Sequence, residues 1–590
     1  DMWIGDWNKT NENWEWQSHT VNDSVIYTPI VIDRNHAFTK VDGVLFKQML
    51  KMLSLDFICN YDSLILKDTK KINKLAFALD MAVAGRSDES VWIRQAQEIR
   101  KQMTDSLIDS AFTYLPEGVK HDEIELIKRK LKRRRLELEA VASQYYRLLQ
   151  RTPVVAGTNQ SDYFLIERQA PDRTILRIYD RDGDCRLEQQ FSGRETKELW
   201  LYGLAGNDTF EVKGNTRKDF PIYLISGEGE NQYQLNHNRK IHVYDKDYKY
   251  DYQKIKYHKI SFTPWGIYDS DKGISLGTFF TYTMYGFKRA PFTYQHRIGY
   301  NYLKGFMYAG VFPNYDGRRR LYLNASISSP RNFENFFGFG NNTAGYKEEK
   351  KNYNRVKLRT YMLNPSFEMD LRKEEVVTFF GSLDMYKAKR TDDRYIYTVY
   401  GEDHPIFRTN YFVGLGATYR ITKQPYSWLP LLETEWTAGW KMNLKKPERN
   451  FPYAQGSLSW NVRFSDRFTW ASLMKGTVLF DNDYEFYQAA TIDLRGFRDN
   501  RFIGKQSFYQ YSDLRLDMGK LKNPFTPLKY GLFAGFDYGR VWFPGERSHS
   551  WHTSYGGGIW LTFLNKFTTK YSWFGSTDSF RFAFELGLGF

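Results

Sequence analysis

The chain has 590 residues, 42% of them hydrophobic and 17% aromatic, with a formal net charge of +15. No uncharged apolar run approaches the ~18 residues of a membrane-spanning helix, which excludes a helical membrane protein but not a barrel, whose strands are only half apolar. Cys59 and Cys185 are the only cysteines, so there is no disulfide framework and no cysteine-rich zinc site, with room for one bridge at most. The basic residues are spread along the chain apart from Lys128 to Arg135, and they indicate no nucleic-acid partner.

Residues 1–150 begin with aromatic-rich extended pieces and then turn helical. The first segment runs Asp1-Met-Trp-Ile-Gly-Asp6-Trp-Asn8-Lys9-Thr10-Asn11-Glu12-Asn13, and Pro29-Ile-Val-Ile-Asp33-Arg34-Asn35-His36 follows. It resembles the catalytic and metal loops of atypical kinases related to CotH and HipA. The resemblance implies vestigial magnesium positions at Asn13 and Asp33. Asn8 stands where that family has its base, and an amide takes no proton at neutral pH, so the expectation is a structural remnant rather than an active kinase. The same arrangement resembles barrel proteins fused to an upstream metallophosphoesterase, whose metal loops this sequence does not contain. The chain opens inside a motif, which leads us to expect natural polypeptide upstream of Asp1.

Apolar spacing of i, i+3, i+4 predicts helices over Ile72 to Ala84, Glu89 to Phe112 and His121 to Leu149, the last as one long amphipathic helix. Its basic run reads as a solvated face, with attraction to anionic lipid head groups as the functional alternative.

Residues 151–252 read as a small all-β, solenoid-like module, with strands at Tyr163 to Glu167, Thr174 to Tyr179, Glu198 to Tyr202, Thr209 to Val212, Ile222 to Ile225 and Lys240 to Tyr244. Gly203-Leu-Ala-Gly206-Asn-Asp208-Thr-Phe210 fits a calcium β-roll nonapeptide except at Leu204, and Ser226 to Tyr233 is a degraded second copy. Asp208 is therefore a calcium candidate, set against a solenoid turn that packs Phe210 and Tyr233. Calcium here and magnesium at the first loops are the only cofactors the sequence suggests. Asp180 to Asp184 reads as a hairpin turn rather than a calcium loop, because Cys185 stands where such a loop needs glycine.

From residue 253 to the end, strand follows strand. About 335 residues at about 21 per strand and turn give on the order of sixteen strands, an even number suited to an outer-membrane barrel. The fold class expected is mainly β, a C-terminal transmembrane antiparallel barrel preceded by a helical segment and a small all-β module. The last strand alternates cleanly, Phe580, Phe582, Phe584, Leu586, Leu588 and Phe590 on one face, Arg581, Ala583 and Glu585 on the other.

Leu494-Arg495-Gly496-Phe497-Arg498, followed by Asn500, Arg501 and Gly504, lies between two of the last strands. With Phe533-Ala-Gly-Phe-Asp537-Tyr-Gly539, it resembles the BamA, TamA and two-partner-secretion transporter superfamily of surface-antigen barrels. The resemblance implies that Arg495, Gly496 and Phe497 fold back into the barrel, that Arg495 pairs with Asp537 on the wall, and that Phe590 closes a C-terminal signal read by the barrel assembly machinery. The alternative for Arg495 is an arginine on a surface turn. The POTRA modules of members that insert or secrete proteins are not legible here. The location implied is the outer membrane of a Gram-negative bacterium, with lipid and lipopolysaccharide around the barrel, the N-terminal part in the periplasm, and periplasmic or outer-membrane proteins as partners. Three functions remain open: transport or assembly, anchorage of an upstream phosphate-handling enzyme, and a passive pore.

Overall fold

The computed structural model describes residues 1–590 except 22–23, 42–46, 48–49, 52–54, 117, 119–120, 216–217, 236–239, 246–247, 344–351, 392, 424–430, 522–527, 564–566 and 589–590. Phe590 therefore lies outside the described residues. The chain divides into two compact units, Asp1–Tyr257 and His258–Phe590.

The first unit opens with a two-stranded hairpin, β1 (Trp14–Val21) and β2 (Ser24–Val31), paired from Trp14 opposite Val31 to Val21 opposite Ser24. Helices follow at Phe77–Val83, Glu89–Gln102, Asp105–Ala111, His121–Arg135 and Leu138–Leu149. Two predicted helices are each split. Thr104 caps Asp105–Ala111 by accepting from the Leu107 amide, a residue type that favours a helix start over a helix interior. The long helix breaks at Leu136 and Glu137, and the Glu137 carboxylate accepts the Ile65 amide at 2.8 Å, a contact no local spacing reveals.

The basic run is not wholly a solvated face. Arg134 is only 2% exposed and donates to the carbonyls of Met2, Trp3 and Asp62, so it pins the N-terminal segment against the helices. Lys132 pairs with Asp109 at 2.8 Å, and Arg135 pairs with Asp105 at 2.7 Å.

The β module is a parallel solenoid. β3 (Val154–Ala156), β7 (Leu199–Tyr202), β9 (Ile222–Ile225) and β11 (Ile241–Tyr244) form one sheet in the order β11-β9-β7-β3. β4 (Tyr163–Gln169), β8 (Thr209–Gly214) and β10 (Gln232–Gln234) stack in parallel, and the hairpin of β5 (Arg173–Tyr179) and β6 (Cys185–Ser192) extends that sheet. Strands this short cannot bury a core alone; stacked, they enclose Phe164, Ile166, Leu201, Phe210, Leu224 and their neighbours. Phe164, Phe210 and Tyr233 form an aromatic ladder, with centroids 4.5 and 5.7 Å apart.

The second unit is a closed antiparallel barrel of sixteen wall strands. In order these are β12 (Lys259–Asp269), β13 (Gly273–Met284), β14 (Tyr294–Asn301), β15 (Gly305–Pro313) and β16 (Arg319–Ile327). After the short β17 (Phe333–Asn335) come β18 (Arg355–Arg372), β19 (Glu375–Ala388), β20 (Asn410–Lys423), β21 (Leu432–Asn443), β22 (Lys446–Arg463) and β23 (Phe468–Leu479). β24 (Ala490–Thr491) and β25 (Ile503–Gly504) form a ribbon of their own, and β26 (Gln506–Leu521), β27 (Leu528–Trp542), β28 (His552–Phe563), β29 (Phe567–Gly575) and β30 (Phe580–Leu588) complete the wall.

Alternation sets the two faces of the wall. Ile260, Phe262, Leu276, Phe280, Ile298, Leu415, Trp436, Leu514, Phe536 and Tyr555 point outward and are exposed, an apolar belt around the barrel. Ser275, Thr281, Thr283, Asp384, Asp513, Asp537 and Ser554 point inward and are buried. One end carries short connections such as 314–318, 373–374 and 464–467, whereas the other carries 336–354, 389–409, 480–505 and 543–551. Residues of these longer connections, among them Phe336, Ile396, Ile406, Phe407, Phe486 and Ile503, form an apolar cluster with Val356, Leu358 and Phe412 of the wall.

Candidate functional site

The connection between β23 and β26 turns inward. Its tip, Leu494 to Phe497, lies against strands β26 to β29 because Arg495 finds two fixed carboxylates there. Asp537 is 0% exposed and Asp513 is buried beside it. The Arg495 Nη1 donates to Asp513 Oδ1 at 2.6 Å, Nε donates to both Asp537 oxygens at 3.1 Å, and Nη2 also donates to Asp537. The Arg495 backbone amide donates to Asp537 Oδ2 at 3.1 Å, and the Ser554 hydroxyl donates to the same oxygen at 2.8 Å. The guanidinium lies 3.9 Å from the Phe574 ring centroid, a cation–π contact in a confined space. A planar fork held by two carboxylates and an aromatic face is a contact lysine cannot reproduce.

Two glycines make the space. A Cβ on Gly496 would lie 2.6 Å from Ser554 Cβ and 2.9 Å from the Gly575 carbonyl oxygen. A Cβ on Gly535 would lie 2.7 Å from Arg495 Nη2. Phe497 is buried and packs edge-on against Phe502, so the tip is held by an apolar anchor as well as by charge.

The rest of the loop joins the two margins of the barrel's closure. β12 and β30 pair only at Ile267–Glu585, Tyr268–Phe584 and Asp269–Ala583 among the described residues, whereas β12 pairs with β13 along its whole length from Lys259 to Asp269. On the β12 side, Lys272 bonds Asp499 at 2.7 Å and Arg498 lies 3.4 Å from Asp271. On the β30 side, Arg501 pairs with Asp578, and the Ser576 hydroxyl donates to the Gly496 carbonyl at 2.7 Å. Arg581 of β30 reaches both ways, donating to the Phe497 carbonyl and, at 3.1 Å, to the Ser270 hydroxyl across the seam. A cavity of about 570 Å³ lies behind the seam, bordered by Trp265, Ile267, Asp493, Arg581 and Glu585. Sequence reasoning singled out Arg495 and Asp537 but not Asp513, Gly535 or Arg581, whose roles depend on which strands become neighbours.

The N-terminal candidates occupy local structural positions. The Asn13 side-chain oxygen accepts from the Thr10 amide and hydroxyl, and Asp33 accepts the Asn35 amide at 2.8 Å. Asn13 and Asp33 flank the paired hairpin, and the Ile32 amide donates to the Asn13 carbonyl at 3.1 Å. Lys9 is held by Asp80, which also accepts the Tyr145 hydroxyl at 2.7 Å. Among the described residues no group of three or more His, Cys, Asp or Glu side chains is arranged to hold a metal. Asp208 is fully buried in a solenoid turn, where its Oδ1 accepts the Asp162 amide.

No family model matches the chain, and no curated protein matches it. Solved structures similar to it include BamA from Haemophilus ducreyi lacking POTRA domains 1–3, at 11% identity and a TM-score of 0.42, covering 56% of this chain and 71% of that one. CdiB from Escherichia coli is similar at 11% identity and a TM-score of 0.36, covering 56% of this chain and 63% of that one. CdiB from Acinetobacter baumannii gives 10% identity and a TM-score of 0.33, covering 57% of this chain and 66% of that one.

Proposed function

We propose that this chain is an outer-membrane barrel of a Gram-negative bacterium that moves or inserts substrates by parting its wall between β12 and β30. The observation that carries this reading is the seam. Among the described residues three strand pairings join it, against eleven between β12 and β13, so it is the join with the fewest strand pairings in a wall that otherwise has no edges. The apolar belt supports a hydrocarbon surround, and an even strand number brings both barrel termini to the end with the short turns, the arrangement of barrels whose short turns face the periplasm. A wide open pore agrees less well with a lumen that holds the Arg495 loop and the cavity behind it. Outer-membrane lipid and lipopolysaccharide would contact the belt, and the substrates would be polypeptides or lipids able to enter sideways.

The test is a reversible lock. Cysteines replacing Tyr268 and Phe584, which face each other across the seam, are expected to abolish complementation of a strain lacking the protein when oxidised and to restore it when reduced. Undiminished complementation with the seam fully crosslinked rejects the reading. Single-channel recording then separates the remaining two, because a passive pore conducts steadily and a membrane anchor for an enzyme does not.

A further inference from the structure

The N-terminal segment and two helices of the first unit enclose a cavity of about 320 Å³. Ten side chains line it, all of them apolar, among them Trp3, Ile4, Phe38, Ile108, Phe112 and Leu131. Each wall has a local cause. Arg134 holds the carbonyls of Met2 and Trp3, which sets Trp3 and Ile4 along the helix His121–Arg135. Phe38 has a backbone φ of +57°, a conformation that is costly for a bulky side chain, and its amide donates to the Ile4 carbonyl at 3.1 Å. Helix Asp105–Ala111, whose start is fixed by the Thr104 cap, supplies Leu107, Ile108 and Ala111. Leu107 and Leu115 are exposed although they line the cavity, so it opens to the surface.

The lining offers water no free N–H or oxygen of a side chain. Its one such group, the Trp3 indole N–H, already donates to the Leu131 carbonyl at 3.0 Å, and the Met103 carbonyl accepts from Arg135. A water settles in a cavity only where about two to four polar groups hold it, so this space favours hydrocarbon. An apolar cavity of about 150 Å³ stays dry and binds benzene, and a space more than twice that size takes on the order of a dozen carbon atoms. Polypeptide suits it poorly, because each residue would bring amide groups with no partner in the wall. A hydrocarbon chain brings none.

The rim carries cations. Lys128, Leu131, Lys132 and Arg135 share one face of their helix, three and four residues apart. Lys128 Nζ lies 6.0 Å from the centroid of the Phe112 ring, Lys132 pairs with Asp109 beside Ile108, and Arg135 donates to the Met103 carbonyl, so each stands next to a residue of the lining. The carboxylates opposite them, Glu125, Asp109 and Asp105, are about half exposed. Surface pairs of this kind are worth about 0–1 kcal/mol, and a ligand carboxylate can take their place. We propose that the cavity binds a fatty acid, with the chain between Trp3, Phe38, Ile108 and Leu131 and the carboxylate at Lys128, Lys132 and Arg135. One chain of about a dozen carbons fills the space, which leaves no room for the second chain of a membrane phospholipid. The site belongs to the first unit and does not depend on what the barrel transports.

The experiment uses the full chain in lipid nanodiscs, free of detergent, with a diazirine-bearing laurate as photoprobe and peptide mass spectrometry to locate the adducts. Wild type is expected to carry adducts within residues 103–115, and an excess of unlabelled laurate to remove them. Ala111→Trp, at an exposed position of the lining, should close the space and lose those adducts without a fall in unfolding temperature. Lys128→Gln combined with Lys132→Gln leaves the cavity intact and serves if the tryptophan variant does not fold: it should weaken competition by laurate and leave competition by dodecanol unaltered. Adducts confined to the barrel and the disc lipid overturn the proposal, as does equal labelling of wild type and a folded Ala111→Trp. So does labelling that falls as protein concentration rises, which would mean that a second copy covers the cavity. Equal competition by laurate and dodecanol in wild type overturns the assignment of a carboxylate head.

Discussion

The Arg495 guanidinium fills the space that a side chain at Gly535 would need: a Cβ there would lie 2.7 Å from Arg495 Nη2 and 2.8 Å from Asp513 Oδ1. Glycine in the wall and arginine in the loop are two halves of one fit. Gly535→Val is therefore expected to expel the loop tip while the strand itself still pairs, adding about 1–3 kcal/mol of overpacking to the loss of the Arg495 contacts. Trypsin checks this, since wild type should resist cleavage after Arg498 and the variant should be cut there in the folded barrel.

Removing one member of the latch strands another. Arg495→Ala leaves the buried Asp537 without its cation, while Asp513 keeps Arg515 at 3.6 Å and Lys570 at 3.7 Å, and Asp537→Ala leaves Arg495 with a single carboxylate partner. Each is expected to cost about 3–5 kcal/mol, and the double variant less than the two together, because both remove one interaction. Gel-shift unfolding temperatures of the barrel in detergent give the three values. Strict additivity would mean that the two residues act separately.

The aromatic ladder of the solenoid carries much of that module's core. Phe210 is fully buried between Phe164 and Tyr233, so Phe210→Ala should destabilise the first unit by about 3–5 kcal/mol. Urea unfolding followed by near-ultraviolet circular dichroism measures it, and the barrel's gel shift should not move.

Asp208 also sets a pH dependence. Its carboxyl is raised from 3.8 to about 7 by burial, so between those values the unfolded chain gives up a proton that the folded chain keeps. Stability should therefore fall as pH rises through that window, by up to roughly 1.4 kcal/mol per unit, and level off above it. Asp208→Asn should remove this slope, with no advantage over wild type near pH 4 and its full advantage above pH 7. A wild-type stability flat across the window would contradict the burial of an ionisable oxygen there.

What could be read from the sequence follows from the range of each signal. The last strand and the Asp537 strand declare themselves because alternation is local, and Arg-Gly-Phe stands out because few segments need that tip. Asp513 and Arg581 are silent in sequence: their importance comes from strands β26 to β30 meeting the loop from different sides. The turn at 157–162, which stacks on the turn at 203–208 through the Asp162 amide and Asp208 Oδ1, escaped because Thr158, Asn159 and Gln160 fill positions where the latter has Leu204, Ala205 and Gly206. Arg134 misled for a related reason. A basic run looks solvated unless one knows that three carbonyls from distant segments wait for its one buried member.

The most direct test of the whole account is spin-label accessibility in lipid vesicles, at successive positions of one strand. Labels replacing Val413, Leu415 and Ala417 sit beside labels replacing Phe412, Gly414 and Gly416 on β20, and the exposed Leu415 marks the outward face. The account predicts alternation, with Val413, Leu415 and Ala417 open to oxygen dissolved in the bilayer and their neighbours shielded from it. Uniform access of a water-soluble nickel complex to both sets would contradict a barrel wrapped in hydrocarbon.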